Sequence, residues 1–433
     1  MLDSEQTDYV FILGKNWKLS LAELVSYLDA RNYCYKVSKV ATSFSVIENL
    51  RLLDKSIIED LGGTIKIGKI IAQIPLEALE HTFLQKTKKC QRELEAELAN
   101  VHVSGEKFKK GLEKNVFGIS LYIANPRFTH CAKKMHRFMG SFFKKRLKSE
   151  GIKANFLGFP TNRTWPQLTH VEVIKKRLIE KSFELMFCVD KEQAFVAETI
   201  AVHNPFEFQK RDVQRPVQRK IFSIPPRLAK IMVNLAQCKP GKVLLDPFCG
   251  VGTILQEALL LKAHVVGVDI NPWCVKAAST NLEWLVKGYG LKDAAFKVFV
   301  GDARKLSHYI DMHHVDCIVT EPNLGPALRH FPTKSFAEKL VSKLKPLYSD
   351  FLEEAQKVLK RDSRLVIVTP YVRTRQGSFV GLDIEETSER NGFRSVNVFE
   401  DHLAVAPISK SASFTDVEKR HKIGREIHVL KKM

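Results

Sequence analysis

The run Asp246-Pro-Phe-Cys-Gly-Val-Gly-Thr253 has the residue types and spacing of a ligand-binding turn. It lies between a short apolar run, VLL, and a longer one at helical spacing, ILQEALLL. A strand that turns sharply into a helix gathers free backbone N–H groups and the positive end of the helix at one point. Gly250 and Gly252 let the chain turn there and let a ligand approach the backbone. Asp269 ends the next strand, VVGVD, where a carboxylate can accept hydrogen bonds from ribose hydroxyls. Asp302, in VFVGDA, ends a third and is placed to help hold an adenine. A dinucleotide fingerprint needs a third glycine where this chain has Leu255. S-adenosylmethionine fits better, because Asp246 can face its ammonium or carboxypropyl end and no pyrophosphate needs a cradle. The expected cofactor-binding set is Asp246, Pro247, Cys249, Gly250, Gly252, Thr253, Asp269, Ile270, Asp302 and Ala303.

Other reactive residues are less telling. Eight cysteines, at 34, 90, 131, 188, 238, 249, 274 and 317, never fall within three residues of one another, so neither a zinc knuckle nor a disulfide framework is indicated. Cys317 sits inside the apolar run DCIVT and Cys249 inside the glycine-rich turn, and both read as packing residues rather than nucleophiles. That argues against methylation at cytosine C5, which requires a thiolate. His313 and His314, with Asp311 and Asp316, read as polar loop residues, and no metal is expected.

The elements that must position these residues follow from periodicity. From Pro225 on, short apolar strands alternate with longer helical stretches, the pattern of a parallel sheet covered on both faces. SVNVF and EIHVLK suit an antiparallel closing pair. Before this, YVFIL, a helix in LAELVSYLDA opened by a Ser20/Glu23 capping box, a strand in VSKVATSFSVIENL, a helix in LRLLDKSIIEDLG and a strand in TIKIGKIIAQI describe an α+β module. A second α+β stretch follows to about residue 200. Phe208 to Lys220, charged and without apolar periodicity, read as a linker.

The 433 residues, 45% of them hydrophobic, are enough for about three domains of roughly 150 residues each. With 22 Gly and 17 Pro, the composition is not that of a disordered chain. No apolar run reaches a membrane span and the first residues lack the basic start of a signal peptide, so a cytoplasmic protein with no membrane partner is expected. The net charge of +20 is unevenly distributed. Between Arg127 and Lys153 nine basic residues face Glu150 alone, while Phe138, Phe142, Phe143 and Leu147 recur at helical spacing. This is an amphipathic helix with a cationic outer face, and a polyanion is its natural partner. Lys133, Lys134, Arg137, Lys144, Lys145, Arg146 and Lys148 are the expected RNA-binding residues. Phe128, Phe156 and Trp165, close by, could stack on exposed bases, and Trp273 could pack near the adenine.

The order DPFCGVGT, VDI, GDA and TEP resembles class I methyltransferases that act on exocyclic amino groups. More narrowly, RDVQRPVQRKIFSIPPRLAKIMVNLA, followed by DPFCGVGTILQEAL, and the amino-terminal ILGKNWKLSLAEL are similar to the archaeal and eukaryotic tRNA guanosine-10 N2-methyltransferase family and its bacterial relatives. The resemblance implies an α/β, Rossmann-like class I methyltransferase domain, mostly parallel with an antiparallel closing strand, behind α+β ferredoxin-like and THUMP-like modules. The boundaries would be 1–76 for the ferredoxin-like module, 77–203 for the THUMP-like RNA-binding domain, 204–222 for the linker and 223–433 for the methyltransferase domain. It implies S-adenosyl-L-methionine as cofactor, tRNA as partner and the N2 amine of a guanosine as acceptor. A small activator subunit, as some eukaryotic relatives use, and the oligomeric state stay open.

The family mostly carries Asp/Asn-Pro-Pro-Tyr/Phe after strand four. There the first side chain and a main-chain carbonyl accept hydrogen bonds from the target amine, and the ring stacks on the base. This chain has Glu321, Pro322, Asn323 and Leu324 at those places: an acceptor on a longer stem, an amide for a proline and an aliphatic side chain for a ring. Two alternatives remain at this stage, a DNA adenine-N6 or cytosine-N4 methyltransferase and a non-catalytic RNA-binding protein that keeps the Rossmann-like scaffold.

Overall fold

The computed structural model describes residues 7–50, 53–85, 88–103, 108, 115–159, 163–219, 223–400, 402, 413–418 and 420–433. The first six residues, on which the absence of a leader was read, and residues 220–222 of the expected linker lie outside them.

Two sheets order the chain. The first contains β1 (Thr7–Leu13), β2 (Lys36–Val40), β3 (Phe44–Leu50), β4 (Thr64–Pro75), β5 (Asn115–Ile123), β6 (Ala154–Leu157), β7 (Glu184–Val189) and β8 (Gln193–Val202), in the order β2-β3-β1-β4-β8-β7-β5-β6. β1 to β4, with helices Trp17–Ala30 and Ile57–Asp60, form an antiparallel βαββαβ unit of the ferredoxin-like kind. The stretch read as one strand over VSKVATSFSVIENL is a hairpin of β2 and β3, turning between Val40 and Phe44. β4 pairs antiparallel with β8 from Lys66↔Val202 to Pro75↔Gln193, so a single sheet runs through both amino-terminal modules.

The second sheet contains β9 (Val243–Asp246), β10 (His264–Asp269), β11 (Phe296–Val300), β12 (Cys317–Thr320), β13 (Arg364–Arg373), β14 (Phe379–Gly381), β15 (Phe393–Ser395), β16 (Ser413–Asp416) and β17 (Ile423–Lys432). Its order is β11-β10-β9-β12-β13-β17-β15. The first five are parallel neighbours and β17 runs antiparallel between β13 and β15. Strand order reverses between β9 and β12, and at such a switch point the loops above the strand ends part and leave a crevice. This is the Rossmann-like class I arrangement with its antiparallel closing strand. The closing partner is Phe393–Ser395, which overlaps the expected SVNVF at Ser395; the Val396 N–H still bonds the Val429 carbonyl of β17 (2.8 Å), and the strand ends there.

Successive strand residues face opposite cores. Leu244, Val265, Val319 and Val366 pack with helices Pro226–Leu235, Thr253–Leu260 and Pro272–Tyr289, whereas Leu245, Val268, Ile318 and Ile367 pack with helix Lys334–Val358. The first core continues into helix Trp17–Ala30, so the amino-terminal unit and the carboxy-terminal domain share apolar packing.

The Ser20/Glu23 capping box is not formed. The helix begins at Trp17, one turn earlier, and Glu23 is buried inside it. Its carboxylate accepts N–H bonds from Gly62 (2.7 Å) and Gly63 (2.6 Å) and an amide bond from Asn234 (2.8 Å), which ties the two domains together. The expected linker is also built structure: residues Pro205–Val213 form a helix started by Asn204 and Pro205. Its charges misled the periodicity because two are buried. Arg211 forks onto Glu257 (2.6 and 3.1 Å) and Arg215 donates to Thr253 Oγ1 (2.6 Å) and Ser223 Oγ (2.9 Å).

Candidate active site

A cleft of about 820 Å³ opens above the carboxyl ends of β9, β10 and β12. Asp246 forms its floor, at the last position of β9. Thr320, at the end of β12, donates to its Oδ1 (2.7 Å), and Phe248 N–H reaches the same oxygen (3.2 Å). No cation pairs with Asp246 among the described residues. Burial, with Asp269 and Glu321 nearby, raises its pKa to about 7.

Asp269 builds the second wall. Its Oδ2 accepts the Gly250 N–H (2.9 Å) and its Oδ1 the Asn271 N–H (2.8 Å), so it fixes the glycine-rich turn and the start of helix Pro272–Tyr289 at once. Gly250 has a φ of +52° and Gly252 of +82°, a region that favours glycine. A Cβ on Gly250 would meet no atom within 4 Å, so the space beside that backbone is open to a ligand. At Gly252 a Cβ would come to 3.2 Å from Ala278, and this glycine serves helix packing instead. Ile270 is 67% exposed at the rim, an apolar surface for a ring. The set fits S-adenosylmethionine: an unneutralised carboxylate for a cationic group, a second carboxylate at the ribose position and an open backbone turn between them.

One consequence is measurable. Asp246 attracts an ammonium only when ionised, and its folded-state pKa lies above the ordinary carboxylate value. An ammonium held there would therefore be bound above pH 7 and released as pH falls through it. Between pH 7.5 and 6 the Kd should rise by about an order of magnitude, and Asp246→Asn should bind more weakly with a flat profile. Titration calorimetry at both pH values checks this, and an unchanged wild-type Kd would overturn it.

The strand-four loop forms the opposite wall, with Glu321, Pro322, Asn323 and Leu324 all lining the cleft. Glu321 differs from expectation in its bonding. Arg425, on β17, donates from Nε to Oε2 (2.5 Å) and from Nη2 to Oε1 (3.2 Å), a bidentate pair with both side chains largely buried. Any amine that meets this carboxylate shares it with a guanidinium. Asn323 Oδ1 accepts the Gly325 N–H (2.9 Å), and the hydroxyl of buried Tyr348 donates to the Asn323 carbonyl (3.4 Å). Leu324 rests partly buried against the core.

Of the expected cofactor residues, Asp246, Cys249, Gly250, Thr253, Asp269 and Ile270 line the cleft, and Pro247 and Gly252 are buried behind it. Asp302 and Ala303 do not line it. Asp302 caps a short 3-10 helix by accepting the Arg304 N–H (2.9 Å) and pairs with the Arg304 guanidinium (2.7 Å), and Ala303 is core. Trp273 is exposed and lies outside the lining. The sequence reading missed Arg219, Glu418, Arg420, His421, Ile423 and Arg425, all at the cleft. Charged residues within the otherwise apolar closing strand, Arg425-Glu426, were the available signal.

The basic helix spans Ala132–Ser149 and buries Met135, Met139, Phe143 and Leu147 against β5, β6 and β7, while Phe138 and Phe142 are only partly covered. Lys133, Lys134, Arg137, Lys144, Lys145 and Lys148 are exposed, with no carboxylate partner among the described residues. Arg146 is a correction: its guanidinium is taken by the carbonyls of Leu98, Ala99 and Val101 (2.7 Å to the last) and by Glu150, so it holds the fold. Phe128 is fully buried and Phe156 packs over Gly140, which leaves Trp165 as the accessible ring of the three. Burial raises the Cys249 thiol, and a hydrogen bond with Cys238 together with burial raises the Cys317 thiol, both well above their usual value and the reverse of what a nucleophile needs. The described residues hold no metal-binding cluster; Asp316 is taken by Lys360 and the Val243 N–H.

Residues 215–398 match the model of the RMKL-like methyltransferase domain. The tRNA (guanine(10)-N2)-dimethyltransferase of Methanothermobacter thermautotrophicus is 38% identical over 160 residues, 36% of this chain and 42% of that protein. That of Pyrococcus abyssi is 34% identical over 194 residues, 45% of this chain and 50% of that protein. The chain thus spans half or less of the length of these curated relatives. The crystal structure of TrmN from Thermus thermophilus aligns with 98% of this chain and 100% of its own, at a TM-score of 0.54 and 17% identity, a likeness of fold. The carboxy-terminal domain thus has the fold of a Rossmann-like domain and is similar to methyltransferase domains over residues 215–398. No helix among the described residues is long and apolar enough to cross a membrane.

Proposed function

We propose that the chain is an S-adenosylmethionine-dependent RNA methyltransferase acting on the N2 amine of a guanosine in tRNA. One observation carries this reading: the glycine-rich turn, the carboxylates of Asp246 and Asp269 and the strand-four loop from Glu321 to Leu324 face one another across a single cleft. Names borne by relatives over up to 45% of the chain support the acceptor.

S-adenosylmethionine, when bound, supplies an electrophilic methyl on a sulfonium. The chain's own part is alignment and exclusion of water. Asp246 would hold the ammonium, Asp269 the ribose hydroxyls and Arg219, which has no ion-pair partner among the described residues, the methionine carboxylate. Cys249, Gly250, Thr253 and Ile270 shape the seat, with Pro247 and Gly252 behind. Glu321 and the Pro322 carbonyl accept hydrogen bonds from the guanine amine, turning its lone pair toward the methyl. The bound cofactor would supply the methyl for the new C–N bond at the expense of its own C–S bond, and the proton lost by the amine would pass to solvent. Asn323 and Leu324 border the base. Residues 1–76 and a THUMP-like unit at 77–203 hold the folded RNA by shape and phosphate, the exposed lysines of the basic helix contributing most, while a displaced base enters the cleft.

Full-length protein incubated with unmodified tRNA transcript, duplex DNA and labelled cofactor, followed by nucleoside mass spectrometry, tests this. N2-methylguanosine from tRNA is expected, reduced about tenfold or more by Glu321→Ala, which also strands Arg425. Exchanging Lys133, Lys134, Lys144 and Lys145 for Gln should raise the KM for tRNA and leave the cofactor Kd unchanged. Methyl-adenine in DNA would overturn the reading. The Glu321–Arg425 pair favours a second one, an RNA-binding protein that holds the cofactor without transfer. Saturable cofactor binding with no methylated nucleoside would select it.

A further inference from the structure

Adenine, cytosine and guanine all carry an exocyclic amine, so acceptors at Glu321 and Pro322 do not by themselves tell the three bases apart. Guanine differs on the edge remote from its amine, where O6 and N7 are adjacent acceptors. Adenine sets a donor beside its N7, and cytosine has no such pair. A cleft that selects guanine therefore needs two donors held side by side for that edge.

The hairpin of β16 and β17 borders the cleft. In the turn between the two strands, the His421 N–H bonds the Glu418 carbonyl (2.9 Å), and the Arg373 N–H of β13 bonds the Lys422 carbonyl (2.8 Å). A Cβ on Gly424 would lie 2.5 Å from the Val417 side chain, so this glycine lets the turn fold down onto β17. His421, Ile423 and Arg425, at alternate positions of one extended run, all line the cleft, as do Glu418 and Arg420 of the turn.

Three arginines among the described residues line this cleft. Arg425 is committed to Glu321, with Asp416 4.0 Å from its Nη1. Arg219 stands near Cys274, at the start of the helix that follows Asp269, on the side that fits the cofactor. Arg420 is engaged only at Nε, by Glu418 Oε2 (3.2 Å), and neither of its Nη groups has a partner among the described residues. The same Glu418 oxygen lies 3.6 Å from His421 Nε2. Glu418 thus meets the guanidinium at its inner nitrogen and leaves the planar two-donor end open.

We propose that Arg420 selects the target base: its two Nη groups donate to O6 and N7 of the guanine whose N2 amine meets Glu321 in the same cleft. The proposal rests on the guanosine reading above and deepens it, for it names the group that favours guanine over the other amine-bearing bases.

The test uses the full chain, labelled cofactor and two tRNA transcripts, one with ordinary guanosine and one with 7-deazaguanosine throughout, which lacks the N7 acceptor. With the ordinary transcript, Arg420→Met should lower kcat/KM about thirtyfold, while cofactor Kd and melting temperature do not move. The deaza transcript should cost the wild type about tenfold and Arg420→Met less than about twofold, because the variant no longer reads N7. Equal losses in the two proteins, as a phosphate contact by Arg420 or an altered RNA fold gives, overturn the proposal and leave the guanosine reading standing. An unchanged kcat/KM in Arg420→Met does the same. If the wild type forms no N2-methylguanosine on the ordinary transcript, the guanosine reading falls and this proposal falls with it.

Discussion

Asp269→Ala should weaken S-adenosylmethionine binding about a hundredfold, from the loss of two charge-assisted hydrogen bonds of roughly 1.5 kcal/mol each to the ribose. The same carboxylate holds the Gly250 and Asn271 N–H groups, so its removal also releases the glycine-rich turn from β10. Calorimetric titration reads the effect directly. Asp302→Ala is the informative control: its carboxylate is already engaged by Arg304, and the Kd should change by less than about threefold. Sequence order alone would rank the two aspartates as equals. A large loss in Asp302→Ala with little in Asp269→Ala would overturn the geometry proposed for the cofactor.

Glu257→Leu should lower the melting temperature by about 10 °C, since breaking a buried ion pair on one side costs roughly 3–5 kcal/mol. Glu257 is fully buried in helix Thr253–Leu260, where it accepts both bonds of the Arg211 fork, with Lys230 Nζ 3.3 Å away. Its loss leaves two buried cations, of which Lys230 keeps the Glu59 carbonyl (2.7 Å) and the face of Phe208 (5.3 Å to its centroid). Adding Arg211→Met should recover part of the loss, because a paired removal leaves one less unsatisfied charge. The cofactor should also bind less well, for Arg215, four residues beyond Arg211, steadies Thr253 at the head of the motif helix. A single variant within about 1 kcal/mol of wild type by thermal denaturation would show that the pair is not structural.

The fold of the carboxy-terminal domain was legible because its signals are local. Runs such as VLLD and VVGVD are apolar throughout, as strands buried on both faces must be, and they alternate with helices at regular spacing. Elements whose polar residues are buried were misjudged for the same reason. Glu23 looked like a cap and Arg211 like part of a linker, because a local pattern cannot show that a charge has a partner two hundred or forty residues away. Arg146 was counted with the RNA-binding face since its neighbours are lysines; three backbone carbonyls from a preceding segment decide otherwise.

By itself, the sequence determined the chemistry within reach of one turn: the glycines that permit the bend at Gly250, the carboxylates that close β9 and β10, and the excess of cations along one helix. Backbone conformation, strand ends and helix faces depend on neighbours a few residues apart, so these were readable in order along the chain. Only the tertiary structure decided which carboxylates remain available. Thr320 and Asp246 meet because β9 and β12 are neighbours, and Glu321 meets Arg425 because β17 returns antiparallel beside β13. Whether a charge is free to bind a ligand depends on what lies within about 4 Å of it, and folding sets that distance between residues far apart in the chain.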